Sequence, residues 1–82
     1  MAGADVERLV RYVVGSLVDD VDAVRVESRS PRDGETLFEV TVADDDVGKV
    51  IGRQGRIIKA IRVLARAAAS VHGEQVDVEV LG

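Results

Sequence analysis

DDDVGKVIGRQGRIIKAIRVLARAAAS, residues 44–70, is a helical pattern interrupted once, by the two glycines of GRQG at 52–55. Before the interruption, Val47, Val50 and Ile51 fall at i, i+3 and i+4, the spacing of one helix face. After it, Ile57, Ile61, Leu64, Ala65 and Ala68 continue the same period and form the expected core stripe. The pattern predicts a short helix stopping at Gly52 and a longer one from Arg56 to about Val71. Arg53 and Gln54 between them are hydrophilic, and the turn is tight enough to need residues without Cβ. Asp44, Asp45 and Asp46 precede the short helix, where carboxylates accept orphan amide protons and face the positive dipole end. That role is favoured over a metal, for which liganding partners are missing. His72 and Gly73 form the exit of the long helix, with Gly73 suited to a left-handed cap.

Outward from this stretch, Val6, Leu9, Val10, Val13, Val14 and Leu17 predict a first helix that Asp5 can cap, ended by VDDVD at 18–22. AVRVESR (23–29) alternates as a strand, and SPRDGE (30–35) carries turn chemistry. TLFEVTVA (36–43) is a second strand with Phe38, Val40 and Val42 inward. QVDVEV (75–80) is a third, with Val76, Val78 and Val80 against Asp77 and Glu79. The order is helix, strand, strand, helix, helix, strand. Strands one and two should form an antiparallel hairpin. Strands two and three, joined through two helices, should be parallel neighbours with a right-handed crossover. Because only one face of each strand is apolar, all three helices must cover that face. The expected fold is α+β, a two-layer sandwich with a three-stranded mixed sheet.

Eighty-two residues suit one domain, here expected to be 1–82. There is no cysteine and one histidine, so disulfides, thiolate sites and zinc sites of the usual kind are excluded. No cofactor is expected. Met1 to Asp5 lacks the basic-then-apolar form of a signal peptide and no apolar run suits a membrane span, so the expectation is cytoplasmic. The net charge of −4 is unevenly divided. From Val47 to His72 there are Lys49, Arg53, Arg56, Lys59, Arg62 and Arg66 and no acid, while the rest carries five basic and fifteen acidic residues. One side is electropositive on an acidic body, which admits an anionic ligand.

A bare GxxG says little; its context says more. GxxxxGK[ST] is absent, GKVIGRQG has the wrong spacing for GxGxxG, and the loop does not follow a strand. The start of the second helix offers amide groups at the positive end of its dipole, a ready place for phosphate. Arg53 adds a charged fork and Gln54 a neutral donor and acceptor. What fits is a helix–GxxG–helix clamp of the kind that holds single-stranded nucleic-acid backbone.

VGKVIGRQGRIIKAIRVL (47–64) resembles the signature of KH domains, and the element order is that of their bacterial type II arrangement. The whole chain is similar to the small stand-alone bacterial KH-domain RNA-binding proteins. The resemblance implies single-stranded RNA as partner, with Gly52, Arg53, Gln54 and Gly55 against the sugar-phosphate backbone. It implies an apolar groove floor for about four bases, lined or supported by Val50, Ile51, Ile57 and Ile58. Ile58 lies off the expected core stripe and is the favoured groove residue; Lys49, Arg56 and Lys59 are the rim charges. Gly48 fits a helix that something approaches closely. Exposed rings for stacking on a sheet are missing, since Phe38 is expected in the core and Tyr12 on the first helix, and the outward Glu39, Asp77 and Glu79 would repel RNA. RNA belongs on the helical edge.

On the long helix, Ala60, Val63 and Ala67 form a strip with Leu64 at its border, suited to a second helix as well as to plain helix propensity. Relatives in this family are associated with self-pairing and with a larger KH-containing partner, which makes this strip the expected homodimer or heterodimer contact. The leading expectation is a non-enzymatic RNA chaperone or post-transcriptional regulator. The alternative is a protein-interaction adaptor in which RNA is secondary. An enzyme would need a nucleophile, base or metal constellation, and Ser70 with His72 supplies none.

Overall fold

The computed structural model describes residues 2–81. Helix α1 (Ala2–Leu17) leads into strands β1 (Arg25–Arg32) and β2 (Glu35–Thr41), then helices α2 (Val47–Ile51) and α3 (Arg56–Ser70), and strand β3 (Gln75–Leu81) closes the chain. Short 3₁₀ turns lie at Val21–Ala23, Asp44–Asp46 and Arg53–Gly55. The sheet order is β1-β2-β3, with β1 and β2 antiparallel and β2 and β3 parallel. This is the expected α+β arrangement.

The register explains why one face only is covered. Val26, Val40 and Val80 stand in one cross-strand row, and Phe38 beside Val78 in the next. These valines and Phe38 meet Val6, Val10 and Val14 of α1, Val50 of α2 and Ile61, Ala65 and Ala69 of α3 in a single core. On the opposite face Glu27, Glu39 and Glu79 form a row across all three strands. Glu39 accepts from Arg29 Nε, which offsets part of the repulsion expected of like charges placed side by side.

Several local expectations are corrected. Asp5 does not cap α1, which begins at Ala2; its carboxylate sits in the first turn, still at the favourable dipole end. The hairpin turn is shorter than SPRDGE, because β1 continues through Pro31 to Arg32 and leaves Asp33 and Gly34 to turn. Proline is tolerated there because β1 is an edge strand and the register shifts between Arg29 and Arg32. At the other end of the chain, α3 leaves through Gly73 at φ 68, with Glu74 N–H donating to Ala69 O and Gly73 N–H to Ser70 O, the exit that was expected.

The largest correction concerns α3. Its buried residues are Ile58, Ile61, Ala65 and Ala69, while Ile57 and Ala68 are half-buried and Leu64 is exposed. Ile58, expected off the core, is 5% exposed and belongs to it. Ile57, expected in the stripe, moves to its edge. The buried residues Ile58, Ile61, Ala65 and Ala69 keep a helical period of their own, one face of α3 shifted from the expected one.

Candidate nucleic-acid interface

The loop is built from backbone conformations that side chains resist. Gly52 ends α2 at φ 77, ψ 171, a region open essentially to glycine alone. Gln54 follows at φ 59, ψ 24, and Gly55 at φ 72, ψ 19. Two hydrogen bonds hold the turn: Gly52 N–H to Gly48 O at 2.9 Å and Gly55 N–H to Gly52 O at 3.1 Å. No side chain caps α3, whose N-cap is Gly55 itself. A Cβ on Gly52 would stand 2.6 Å from Ile57 Cγ1 and 2.9 Å from Ile57 N. The bare Gly52 is what lets α3 begin so close behind α2.

Around the loop, charge separates into bound and unbound. Arg53, Arg56 and Lys59 are exposed and, among the described residues, make no ion pair. Arg56 Nη2 donates to Gln54 Oε1 at 3.2 Å, which steadies both side chains beside the turn. Arg62 and Arg66 are spent elsewhere. Both reach Asp77 of β3, at 3.5 and 3.1 Å, and Arg62 Nε also donates to Val78 O. With Lys49, which is also paired, half of the six basic residues between Val47 and His72 stand in ion pairs, and the unpaired half stands at the loop end.

Lys49, expected among the rim charges, is the third paired cation. It pairs with Asp19 and with Asp46, the latter at 3.0 Å. Asp46 is 2% exposed, and its Oδ2 accepts the backbone N–H of Asp20 at 3.0 Å. It therefore ties the connection after α1 to the start of α2 instead of capping α2, which has no side-chain cap. The Asp20 N–H, then the Lys49 ammonium, hold its carboxyl below the ordinary 3.8, against the opposing effect of burial. Asp19 first, then Asp46, push Lys49 up from 10.5 to about 12. A sequence clue existed in the i, i+3 spacing of Asp46 and Lys49; the contact with Asp20, 26 residues away, had none.

The sign of these shifts sets a pH dependence. A lowered carboxyl pKa gives stability that is present above the ordinary carboxylate range and lost as pH falls through the folded value. The raised Lys49 pKa gives stability complete below 10.5 and lost as pH rises through about 12. Asp46→Asn should lower the melting temperature at pH 7 and flatten its decline between about pH 5 and 2. Thermal melts across that range, parent against variant, check it; parallel acid limbs would contradict it.

The apolar residues near the loop divide in the same way. Val50 is 0% exposed and Ile58 is core, so neither offers a surface. Ile51 and Ile57 are half-buried on the core's edge, next to Gly52, and are the apolar residues open at this end. The strip on α3 is more exposed than a border strip. Val63 is 64% and Leu64 49% exposed, Ala60 and Ala67 are exposed, and Val71, not foreseen, is 79% exposed on the same side. Once the core stripe is Ile58, Ile61, Ala65 and Ala69, the helical period puts this strip directly opposite the core.

A mixed sheet covered on one face, with helix–GxxG–helix at its edge, defines a type II KH domain. The family model described as KhpA/KhpB, KH domain matches residues 7–80, and the chain belongs to that family. Its relatives include a protein of Borreliella burgdorferi named RNA-binding protein KhpA, 42% identical over 81 residues, covering 96% of this chain and 94% of the relative. Proteins of the same name from Caldanaerobacter subterraneus and Leifsonia xyli are 44% and 48% identical, covering 89% and 82% of this chain and 96% and 87% of those proteins. Among solved structures, Aquifex aeolicus Era bound to GDP and aluminium fluoride is similar with a TM-score of 0.64 at 21% identity, over 92% of this chain and 29% of that one. That likeness speaks for the fold.

Proposed function

We propose that this chain is a single KH domain over residues 1–82 that binds single-stranded RNA in the cytoplasm without catalysing a reaction. In this reading it serves as an RNA chaperone or post-transcriptional regulator. The observation that carries the reading is the glycine-walled turn at Gly52–Gly55 flanked by three exposed, unpaired cations. Phosphate approaches the turn, where side chains cannot crowd it, and Arg53, Arg56 and Lys59 supply the charge. Bases lie toward Ile51 and Ile57. The acidic row Glu27, Glu39 and Glu79 keeps the strand off the sheet. The names of the relatives support RNA as the ligand class.

Titration of a fluorescent mixed-sequence single-stranded RNA tests this. With three cations engaged, the plot of log affinity against log salt should slope about −2, and duplex RNA should bind more weakly. No measurable binding at low salt would defeat the reading.

A second reading has its own observation, the exposed Ala60, Val63, Leu64, Ala67 and Val71 face of α3. It supports pairing with a second copy or with a larger KH protein of the KhpB (Jag) type. Pairing would join two weak grooves and raise avidity. If that contact is the main role, the chain is an adaptor and RNA is secondary. Sedimentation at rising concentration separates the cases: a monomer throughout, with unaltered RNA affinity, argues against self-pairing.

A further inference from the structure

Among the described residues the sheet order leaves β1 and β3 as edges, and an uncovered edge invites a strand from another chain. The β1 edge is interrupted by Pro31, which has no N–H, and by the register shift between Arg29 and Arg32. β3 carries no such break: it pairs with β2 in one register from Gln75 to Leu81, and its inward residues Val76, Val78 and Val80 are all valine. What it has instead is side-chain cover at its midpoint. Val78 N–H donates to Asp77 Oδ1 at 2.8 Å, and Val78 O accepts from Arg62 Nε at 2.9 Å. Arg66 Nη2 donates to the same Asp77 oxygen at 3.1 Å, and Arg62 Nε stands 3.5 Å from it. Exposed ion pairs of this kind add little stability, so stability alone does not account for three charged side chains converging on the backbone of one residue.

We infer that Arg62, Arg66 and Asp77 form a clasp that closes the β3 edge against strand addition by a second copy of this chain. The edge is self-complementary. In an antiparallel pair centred on Val78, Val76 of each copy stands opposite Val80 of the other, so the valine face continues across the junction. The two Val78 residues would then exchange both N–H···O bonds, and those are the groups the clasp occupies. Charge opposes the pairing as well, because Asp77 of one copy would face Glu79 of the other.

Asp77→Asn separates cover from charge, since it keeps an oxygen for Val78 N–H and removes the carboxylate. Asp77→Ala removes both. Arg62→Met with Asp77→Ala uncovers the Val78 carbonyl too, while keeping most of the apolar length of the arginine. All three should keep the circular dichroism of the parent. In sedimentation at rising concentration Asp77→Asn should follow the parent, whatever pairing the parent shows through α3. The double variant should gain a further association step, reaching about twice the parent's mass. Its Val78 amide should exchange faster than the parent's when dilute, and slow as concentration rises. A folded double variant that sediments as the parent overturns the inference. So does association without slowed exchange at Val78, which puts the contact elsewhere, and so does equal association of Asp77→Asn and Asp77→Ala, which makes charge the barrier. If the double variant does not fold, Asp77→Ala alone decides by the same two readouts.

Discussion

Gly52→Ala is expected to destabilise the protein by about 3 kcal/mol. Two costs combine. At φ 77, ψ 171 an L residue is held in a region of the map that side chains all but exclude. The new Cβ would also sit 2.9 Å from Ile57 N, which is backbone and cannot swing aside, and 2.6 Å from Ile57 Cγ1. A domain of this length has roughly 4–12 kcal/mol in total, so a quarter or more of the margin disappears. The melting temperature should fall by more than about 10 °C. Urea melts of parent and variant check this; a loss below about 1 kcal/mol would show that α2 and α3 meet less tightly than described.

The second large effect is on binding. Arg53→Asp with Gln54→Asp should weaken single-stranded RNA binding by about 100-fold or more, since it removes one unpaired cation and adds two carboxylates where phosphate approaches. Fold loss is not the expected cause. Arg53 is exposed and unpaired among the described residues, and Gln54 holds a left-handed backbone that aspartate tolerates better than glutamine. Circular dichroism and melting should therefore match or slightly exceed the parent. Unchanged RNA affinity in a folded double variant would remove the turn from the binding site.

Much of this was written in the period of the sequence. Alternating valines placed β2 and β3 and their buried faces, and the i, i+4 series Val6, Val10 and Val14 placed α1, because each pattern reports burial directly. GRQG announced its helix–turn–helix because glycine is needed where φ is positive. What the sequence hid was rotation and pairing. Ile57 and Ile58 are adjacent and equally apolar, so composition does not say which one turns inward, and the structure buries Ile58. Lys49 looked like its neighbours Arg53, Arg56 and Lys59, yet Asp19 and Asp46 occupy it through a contact between distant segments. Arg62 and Arg66 were likewise counted as free charge until Asp77 of β3 was placed beneath them. Non-local ion pairs leave no periodic trace. The unpaired positive charge is consequently smaller than the basic run suggested, and it is concentrated near the turn.

Backbone amide shift mapping on nitrogen-15-labelled protein during titration with single-stranded RNA asks directly where the ligand lies. The account predicts that the earliest and largest changes fall at Gly48, Gly52, Arg53, Gln54, Gly55 and Ile57, with Glu27, Glu39 and Glu79 unmoved. Changes concentrated on the outer sheet face, or along Ala60, Val63 and Ala67 with the turn silent, would contradict it.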